Sequence, residues 1–502
     1  MMYGLGEGLV VAGQGVPAGG IHTYEDWNAF VKAVQTSTYQ TDHAQLTGLG
    51  AVRLESLEGQ LRAIVEREES FKLFRALKRQ PVTSAVHEFA VQTSIGGQPA
   101  GAFNSELGAI ASEVGEYERR IVFVKYLMTQ AAISHVASVQ RGIVNLKAQE
   151  NANALLRLGR AANWASYHGN AAVAPMQFDG LEATLEGFRG GEHVFDFQTQ
   201  FSDLPDFSQE ANRQNYVRAL VDAIYQAFAK VVSVGNFGRL THVHLDPMAQ
   251  VSLDRYLDPA YRVVLDNNPM AINYGAAVTG IRTSFGNLYT EQDVWIEGNE
   301  TMPNYARYGK VPDTAPGAPT LAATAQAAPV AGSRWTSAKA GTYFYVVAAI
   351  DERGVESIPS APVSATVAAG GAVQLTITPN ADRKQTGYAI YRSRRNPGSA
   401  PDLKDFRLVK RIPANSDRSA NTVFVDKDLD VPGSSKLFLL RREPEALQWV
   451  QLLPATQFPL YPTNAAIIPW AVLLYGALMV GIPNHHYLIK NFVPPEARWK
   501  PY

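Results

Sequence analysis

Between Glu445 and Lys490 the chain carries no Asp, Glu, Lys or Arg. So long an uncharged run is either buried in protein or laid across a bilayer. Its centre reads Ile467-Ile-Pro-Trp-Ala-Val-Leu-Leu-Tyr-Gly-Ala-Leu-Met-Val-Gly-Ile-Pro483. A spanning helix needs about 20 consecutive apolar residues. Here Pro469 and Pro483 bracket a shorter stretch, which Gly476 and Gly481 interrupt. Short apolar runs cut by Gly and Pro read as buried strands, so the expectation is a strand-built core and no membrane span.

The 502 residues suggest about three domains at roughly 150 residues each. Apolar residues make up 46% and charged ones 18%, ample for large cores. Lys plus Arg number 45 and Asp plus Glu 46, a formal net charge of −1. That balance excludes a nucleic-acid binder working through global charge, and an acidic disordered tail. Cysteine is absent, which removes disulfide frameworks, zinc ribbons, iron–sulfur clusters and thiol nucleophiles. The opening Met-Met-Tyr-Gly-Leu-Gly-Glu-Gly has no basic segment and no cleavable apolar block, so no secretory signal is expected.

Residues 1–50 are rich in Gly, Ala, Thr and Gln and read as an extended arm. Leu54, Leu57, Leu61, Ile64, Phe71 and Phe74 then recur at helical spacing, predicting an amphipathic helix from Val52 to Leu77. Val82 to Thr93 is a strand, Ser94 to Phe103 a Gly-rich tip, and Arg119 to Leu127 a returning strand: a long hairpin. Two strands alone are marginal in water, so the hairpin must lie on something else, a second subunit being one candidate. A long helix is expected over Ile143–Tyr167 with Gly169 as its cap, and another from an N-cap at Ser208 through Phe228. Leu240–Leu245 reads as a strand and Pro247–Leu257 as a short helix. Asp313 to Thr320, and the Ala-rich stretch to Gly332, read as a linker. An alternating run at Thr342–Ile350, with further short strands at regular spacing over Val373–Thr378, Gly387–Arg392, Phe406–Lys410 and Thr422–Asp426, then predicts a small β-sandwich ending near Gly433.

Chemistry-bearing motifs are few. His242-Val-His244 places two imidazoles on one strand face, where they could share a metal. Pro247 follows Asp246 where a third ligand is wanted, and no His-Glu-x-x-His occurs. Adjacent His485 and His486 face opposite ways and read as core or interface residues. Gly4–Gly8 and Gly13–Gly15 lack the strand–turn–helix setting of a dinucleotide site. Glu68-Glu69 read as a solvated helix face, and Asp426/Asp428 as a β-turn. The sequence thus predicts no catalytic residue, no metal and no cofactor.

The order of helix, extended hairpin, long helix, mixed α/β region and apolar closing strands resembles the major capsid proteins of tailed double-stranded DNA phages, with their Hong Kong 97-type fold. Met1 to Gln80 resembles that family's arm and its helix, Pro81 to Lys125 its extended loop, and Ile143 to Gly169 its spine helix. Phe178-Asp-Gly-Leu181 is similar to the passage from peripheral to axial domain, and Trp470 to Asn491 to the closing strands. The inserted strands resemble a fibronectin type III or immunoglobulin-like module. The resemblance implies an α+β fold with an arm over 1–80, an extended loop over 81–125, a peripheral domain over 126–185 and an axial domain over 186–312. The sandwich is then expected over 313–433 and closing strands over 434–502. It implies an icosahedral head of hexamers and pentamers around DNA held without sequence readout, assembled in the host cytoplasm. It also implies a portal, a separate scaffold and a decoration protein as further partners, and a sandwich displayed outside as an autonomous module. Val86, Phe89, Val91 and Phe103 are the expected inter-subunit contacts. The competing reading is a secreted or surface carbohydrate-active enzyme, or an adhesin, carrying a fibronectin-like module.

Some members of that family join an extended-loop lysine to a neighbour's asparagine. No lysine lies between Lys78 and Lys125, and arginine is too basic to serve as the nucleophile. Mature particles boiled in detergent are therefore expected to run as one band near 54.7 kDa; a ladder of larger species would contradict this.

Overall fold

Leu73, Phe74 and Leu77 are buried, and they close the described end of the first amphipathic run. The computed structural model describes residues 67–97, 103–106, 108, 112–139, 145–234, 238–257, 278–296, 301–462 and 466–502. The chain divides into Met1–Ile64 and Val65–Tyr502. The arm, both N-terminal Gly runs, the stretch 52–66 of the expected helix and the hairpin tip at 98–102 lie outside the described residues.

The first elements are α1 (Lys72–Ala76), β1 (Arg79–Pro81), β2 (Val86–Ser94), β3 (Glu116–Phe123), β4 (Lys125–Ser134), α2 (His135–Val139), α3 (Leu146–His168) and α4 (Leu181–Gly187). There follow β5 (Val194–Asp196), α5 (Glu210–Val234), β6 (His242–Leu245), α6 (Pro247–Tyr256), β7 (Gly280–Thr283), β8 (Gly286–Gln292) and α7 (Asn304–Arg307). The sandwich strands are β9 (Thr320–Gln326), β10 (Gly341–Ile350), β11 (Val363–Val367), β12 (Ala372–Thr378), β13 (Gly387–Arg392), β14 (Arg407–Pro413) and β15 (Thr422–Asp426). The chain closes with β16 (Ser435–Leu440), β17 (Leu447–Pro459), β18 (Ile467–Val480) and β19 (Tyr487–Phe492). The fold is α+β.

The long helix α3 starts where the Asn145 side chain accepts the Ala148 N–H at 3.2 Å. It stops at Gly169, where a Cβ would stand 2.5 Å from the Phe178 carbonyl oxygen and 2.6 Å from that of Ala165. Its buried stripe, Ala154, Leu158, Ala162 and Ala165, shares a core with α1, α4 and the four-stranded sheet β1-β17-β18-β4. The uncharged run forms β17 and β18, which carry buried Trp449 and Trp470 and pair along their length. No described helix is long and apolar enough to cross a membrane. A second core lies between α5, α6 and the six-stranded sheet β5-β19-β16-β6-β8-β7. Ser208 does not cap α5: its hydroxyl donates to Asp206 at 2.7 Å, and the helix begins at Glu210. The strand expected over Arg119–Leu127 is two strands in different sheets, broken at buried Val124, whose N–H donates to the Ala85 carbonyl.

The sandwich pairs sheet β11-β10-β13-β14 with sheet β15-β12-β9. The expected Ala-rich linker is in part strand β9, held antiparallel to β12 from Leu321 to Gln326; pairing overrides alanine's poor strand preference. Strand β11 has no counterpart in the sequence reading. Every residue of β13 is buried, because the four-stranded sheet is covered on both faces. One face meets the sandwich interior, and the other meets Val173, Ala174, Met302 and Ala306 of the body. One face of the sandwich is thus packed against the body.

Two ionic clusters converge on Asp426-Lys-Asp-Leu-Asp430, one inside the sandwich and one between it and the body. Asp426 and Asp428 do not occupy a solvated turn; they are 2% and 0% exposed. The Arg392 guanidinium bridges them at 2.8 and 2.7 Å, and Lys339 meets Asp428 at 2.8 Å. Trp335 and Tyr343 flank the guanidinium at 4.7 and 5.2 Å from their ring centres. Asp430 belongs to a closed ring of alternating charge. Lys410 lies 3.4 Å from Asp430 and 3.3 Å from Glu186, and Lys490 lies 2.9 Å from Asp430 and 3.6 Å from Glu186. Burial opposes ionisation of Asp430, but the two lysines outweigh it and hold its carboxyl below the usual range.

The turn from β18 to β19 carries fully buried His486. Its Nδ1 accepts the Arg441 N–H at 3.4 Å, and its Nε2 donates to the Ala446 carbonyl at 3.3 Å. Both ring nitrogens are thus satisfied only in the neutral form, and burial pushes the imidazole down from 6.5 to about 4. An unfolded chain takes up that proton first, so the contribution is complete above pH 6.5 and lost as pH falls to about 4. It amounts to about 3 kcal/mol at roughly 1.4 kcal/mol per pH unit. Denaturant titrations between pH 7 and 4 should show His486→Gln flattening the acid limb; an unchanged profile would contradict this. Replacing Arg392 by Met leaves two buried carboxylates short of a cation and should cost about 3–5 kcal/mol in the same titration.

Candidate subunit interface

Among the described residues, strands β2 and β3 pair only with each other, and opposed residues of an antiparallel pair share a face. One face holds His87, Val122, Phe89, Arg120, Val91 and Glu118. It turns toward the body, with Phe89 and Val122 against Val124, Val450 and Met479. The opposite face carries Val86 with Phe123, and Glu88 with Ile121, then Ala90 with Arg119, and Gln92 with Tyr117. There Val86 is 40% exposed, Ile121 50%, Phe123 59% and Tyr117 70%. Tyr126 and Met128 of β4 are exposed as well. The Arg119–Glu88 pair, 3.1 Å apart and largely solvated, adds little stability.

The four expected contacts therefore separate. Val86 and Phe103 are exposed, whereas Phe89 and Val91 are half-buried on the inward face. Tyr117, Ile121 and Phe123 share the exposed face and are not among the expected contacts. Their alternation with Glu118, Arg120 and Val122 was the available signal. An apolar face of this kind excludes water when covered, at about 25 cal/mol per Å² of apolar surface.

His244 is fully buried and His242 half-buried. The His244 Nδ1 lies 3.0 Å from the Tyr167 hydroxyl, which donates to Asp293 at 3.1 Å. Asn163 donates to the same carboxylate at 3.1 Å and accepts the Phe74 N–H at 2.9 Å. These groups join α1, α3 and β6. Burial, with Arg442 and His242 adding to it, holds the His244 imidazole well below its ordinary value. Among the described residues, no group of three or more His, Asp or Glu is placed to hold a metal ion. His485 stands beside Arg441, its Nδ1 2.8 Å from the guanidinium.

No protein-family model matches the chain. The major capsid protein of Staphylococcus phage K is 25% identical over 470 residues, 92% of this chain and 94% of that one. The putative major capsid protein of Enterococcus phage phiEF24C is 22% identical over 468 residues, 91% of this chain and 93% of that one. Among solved structures, the capsid of a native GTA particle aligns over 90% of this chain and 100% of its own, at 9% identity and TM-score 0.44. Mycobacterium phage Bobi aligns over 90% and 99%, at 7% identity and TM-score 0.42. From end to end of the aligned region, this chain is a homologue of phage major capsid proteins.

Proposed function

We propose that this protein is the major capsid protein of a phage head, a structural subunit that closes a shell with copies of itself. Its kinship with major capsid proteins over 92% of its length carries the reading. The order of hairpin, long helix, two sheets and closing strands agrees with a Hong Kong 97-type subunit. The mechanism is assembly. Rings that close by rotation juxtapose different patches of identical chains, and a net charge of −1 limits repulsion among them.

In this reading the solvated face of the β2–β3 hairpin, with Val86, Tyr117, Ile121, Phe123 and, beyond β2, Phe103, lies on a neighbouring subunit in hexamers and pentamers. Phe89 braces the hairpin against its own body, with Val91 on the same face. The sandwich faces outward. Double-stranded DNA is enclosed through volume and counterions, without base readout. A separate scaffold, a portal and a decoration protein complete the head during assembly in the host cytoplasm. The relatives do not favour a secreted enzyme or adhesin.

Negative-stain microscopy of the purified chain should show closed particles; a monodisperse soluble monomer under assembly conditions would overturn the reading. Changing Ile121 and Phe123 together to Ser should weaken each contact by about 2–4 kcal/mol, from roughly 25 cal/mol per Å² over about 100–150 Å². The expected outcome is a lower particle yield with an unchanged monomer melting point. Wild-type yield would remove this face from the interface.

A further inference from the structure

Residues 494–502 belong to no helix or strand, yet they are fixed at both ends. Near the start, Glu496 accepts from the Tyr256 hydroxyl and pairs with Arg255 at 3.0 Å, which ties the segment to α6. Midway, Trp499 is 3% exposed and donates its Nε1–H to the Asp405 carbonyl at 2.8 Å. The Arg407 guanidinium lies 5.1 Å from the Trp499 ring centre. Gly433 makes room for that ring: a Cβ there would stand 2.5 Å from it. At the far end the Arg395 N–H donates to the Pro501 carbonyl at 2.9 Å.

Tyr502 reaches the buried charges. Its hydroxyl donates to Asp428 and accepts from Arg392 at 3.2 Å. The Lys339 ammonium lies 5.0 Å from its ring centre. On the body side the Gln198 Nε2 donates to the Asp428 carbonyl at 2.8 Å, and its Oε1 accepts from Lys339 at 2.6 Å. Gln198 and Tyr502 are therefore outside contributions to a network otherwise built by the sandwich. Gln198 is anchored beside a sheet strand, whereas the Tyr502 segment is held by side chains and one backbone bond. It can leave without breaking a strand ladder.

We propose that residues 494–502 are a strap between α6 and the sandwich, and that Tyr502 is its bolt, sealing the Arg392–Asp428–Lys339 cluster from water. With the strap docked, the sandwich keeps one orientation on the body. With it released, water reaches charges whose pairing depends on exclusion of solvent, and that end of the sandwich opens locally before the unit unfolds. This inference concerns the single subunit and does not rest on shell formation.

Hydrogen exchange of the full chain, read by mass spectrometry, tests it. In Tyr502→Ala, amides of Arg334–Tyr345 and Tyr391–Asn396 should exchange at least tenfold faster than in wild type. Tyr502→Phe keeps the ring over Lys339 and should fall between the two. Amides of α5 should not change in either variant. Glu496→Gln frees the opposite end and should speed the same sandwich amides by a smaller factor, which keeps the test open if Tyr502→Ala fails to fold. Wild-type exchange in the sandwich of these variants would overturn the proposal. So would an equal rise across α5, because that is general destabilisation and not release of a strap.

Discussion

The ring formed by Lys410, Glu186, Lys490 and Asp430 is where four parts of the chain must agree. Lys410 comes from β14, Glu186 from α4, Lys490 from β19, and Asp430 from the stretch that leaves the sandwich. Each cation touches both anions, so removing one member leaves two others with a single partner each. The neighbouring Lys436–Glu182 pair at 2.6 Å, with His168 on the same carboxylate at 2.9 Å, extends the arrangement to the end of α3. Buried ion pairs seldom add much net stability, because desolvation offsets attraction. What this ring imposes is register: apolar surfaces can slide, whereas a two-by-two charge alternation fits in one position. The ring joins the sandwich to α4 and β19 of the body.

The apolar periodicities were legible because they report burial directly. Strands β13 and β15 coincide with the runs read from sequence, and α3 and α5 match within a few residues at their starts. What failed was local chemistry decided by distant partners. Ser208 has the right side chain for a cap, but Asp206 takes its hydroxyl. The alanines of β9 look like a tether until β12 is opposite them. Asp426 and Asp428, just ahead of Val431-Pro-Gly433, have the composition of a turn. Only the fold brings Arg392 and Lys339 to them. The sequence did hold one clue: Gly387-Tyr-Ala-Ile-Tyr-Arg392 lacks polar alternation, as a strand covered on both faces should.

The same limit applied to the interface. The expected contacts lie along β2 and the tip because a lone hairpin cannot bury its own apolar side chains. Which face is already occupied is a separate matter, set by the close approach of Val124, Val450 and Met479 to Phe89. A strand with apolar residues on both faces has one side for its own body and one left over. The leftover side is the one that includes Ile121 and Phe123.

Strand β18 spans Ile467–Val480, about 45 Å of extended chain at roughly 3.3 Å per residue. Its outer end, with β17, carries Phe458 and Tyr461 at 54% and 93% exposure. Its inner end runs through the His486 turn into β19 and the second sheet. Its outer ten residues also pair with β4, from Ile467 opposite Ser134 to Gly476 opposite Lys125, so the β17–β18 hairpin is fastened into the sheet along most of its length. A shift at the turn would thus be carried by β4 into the base of the β2–β3 hairpin, from which only Val124 separates it.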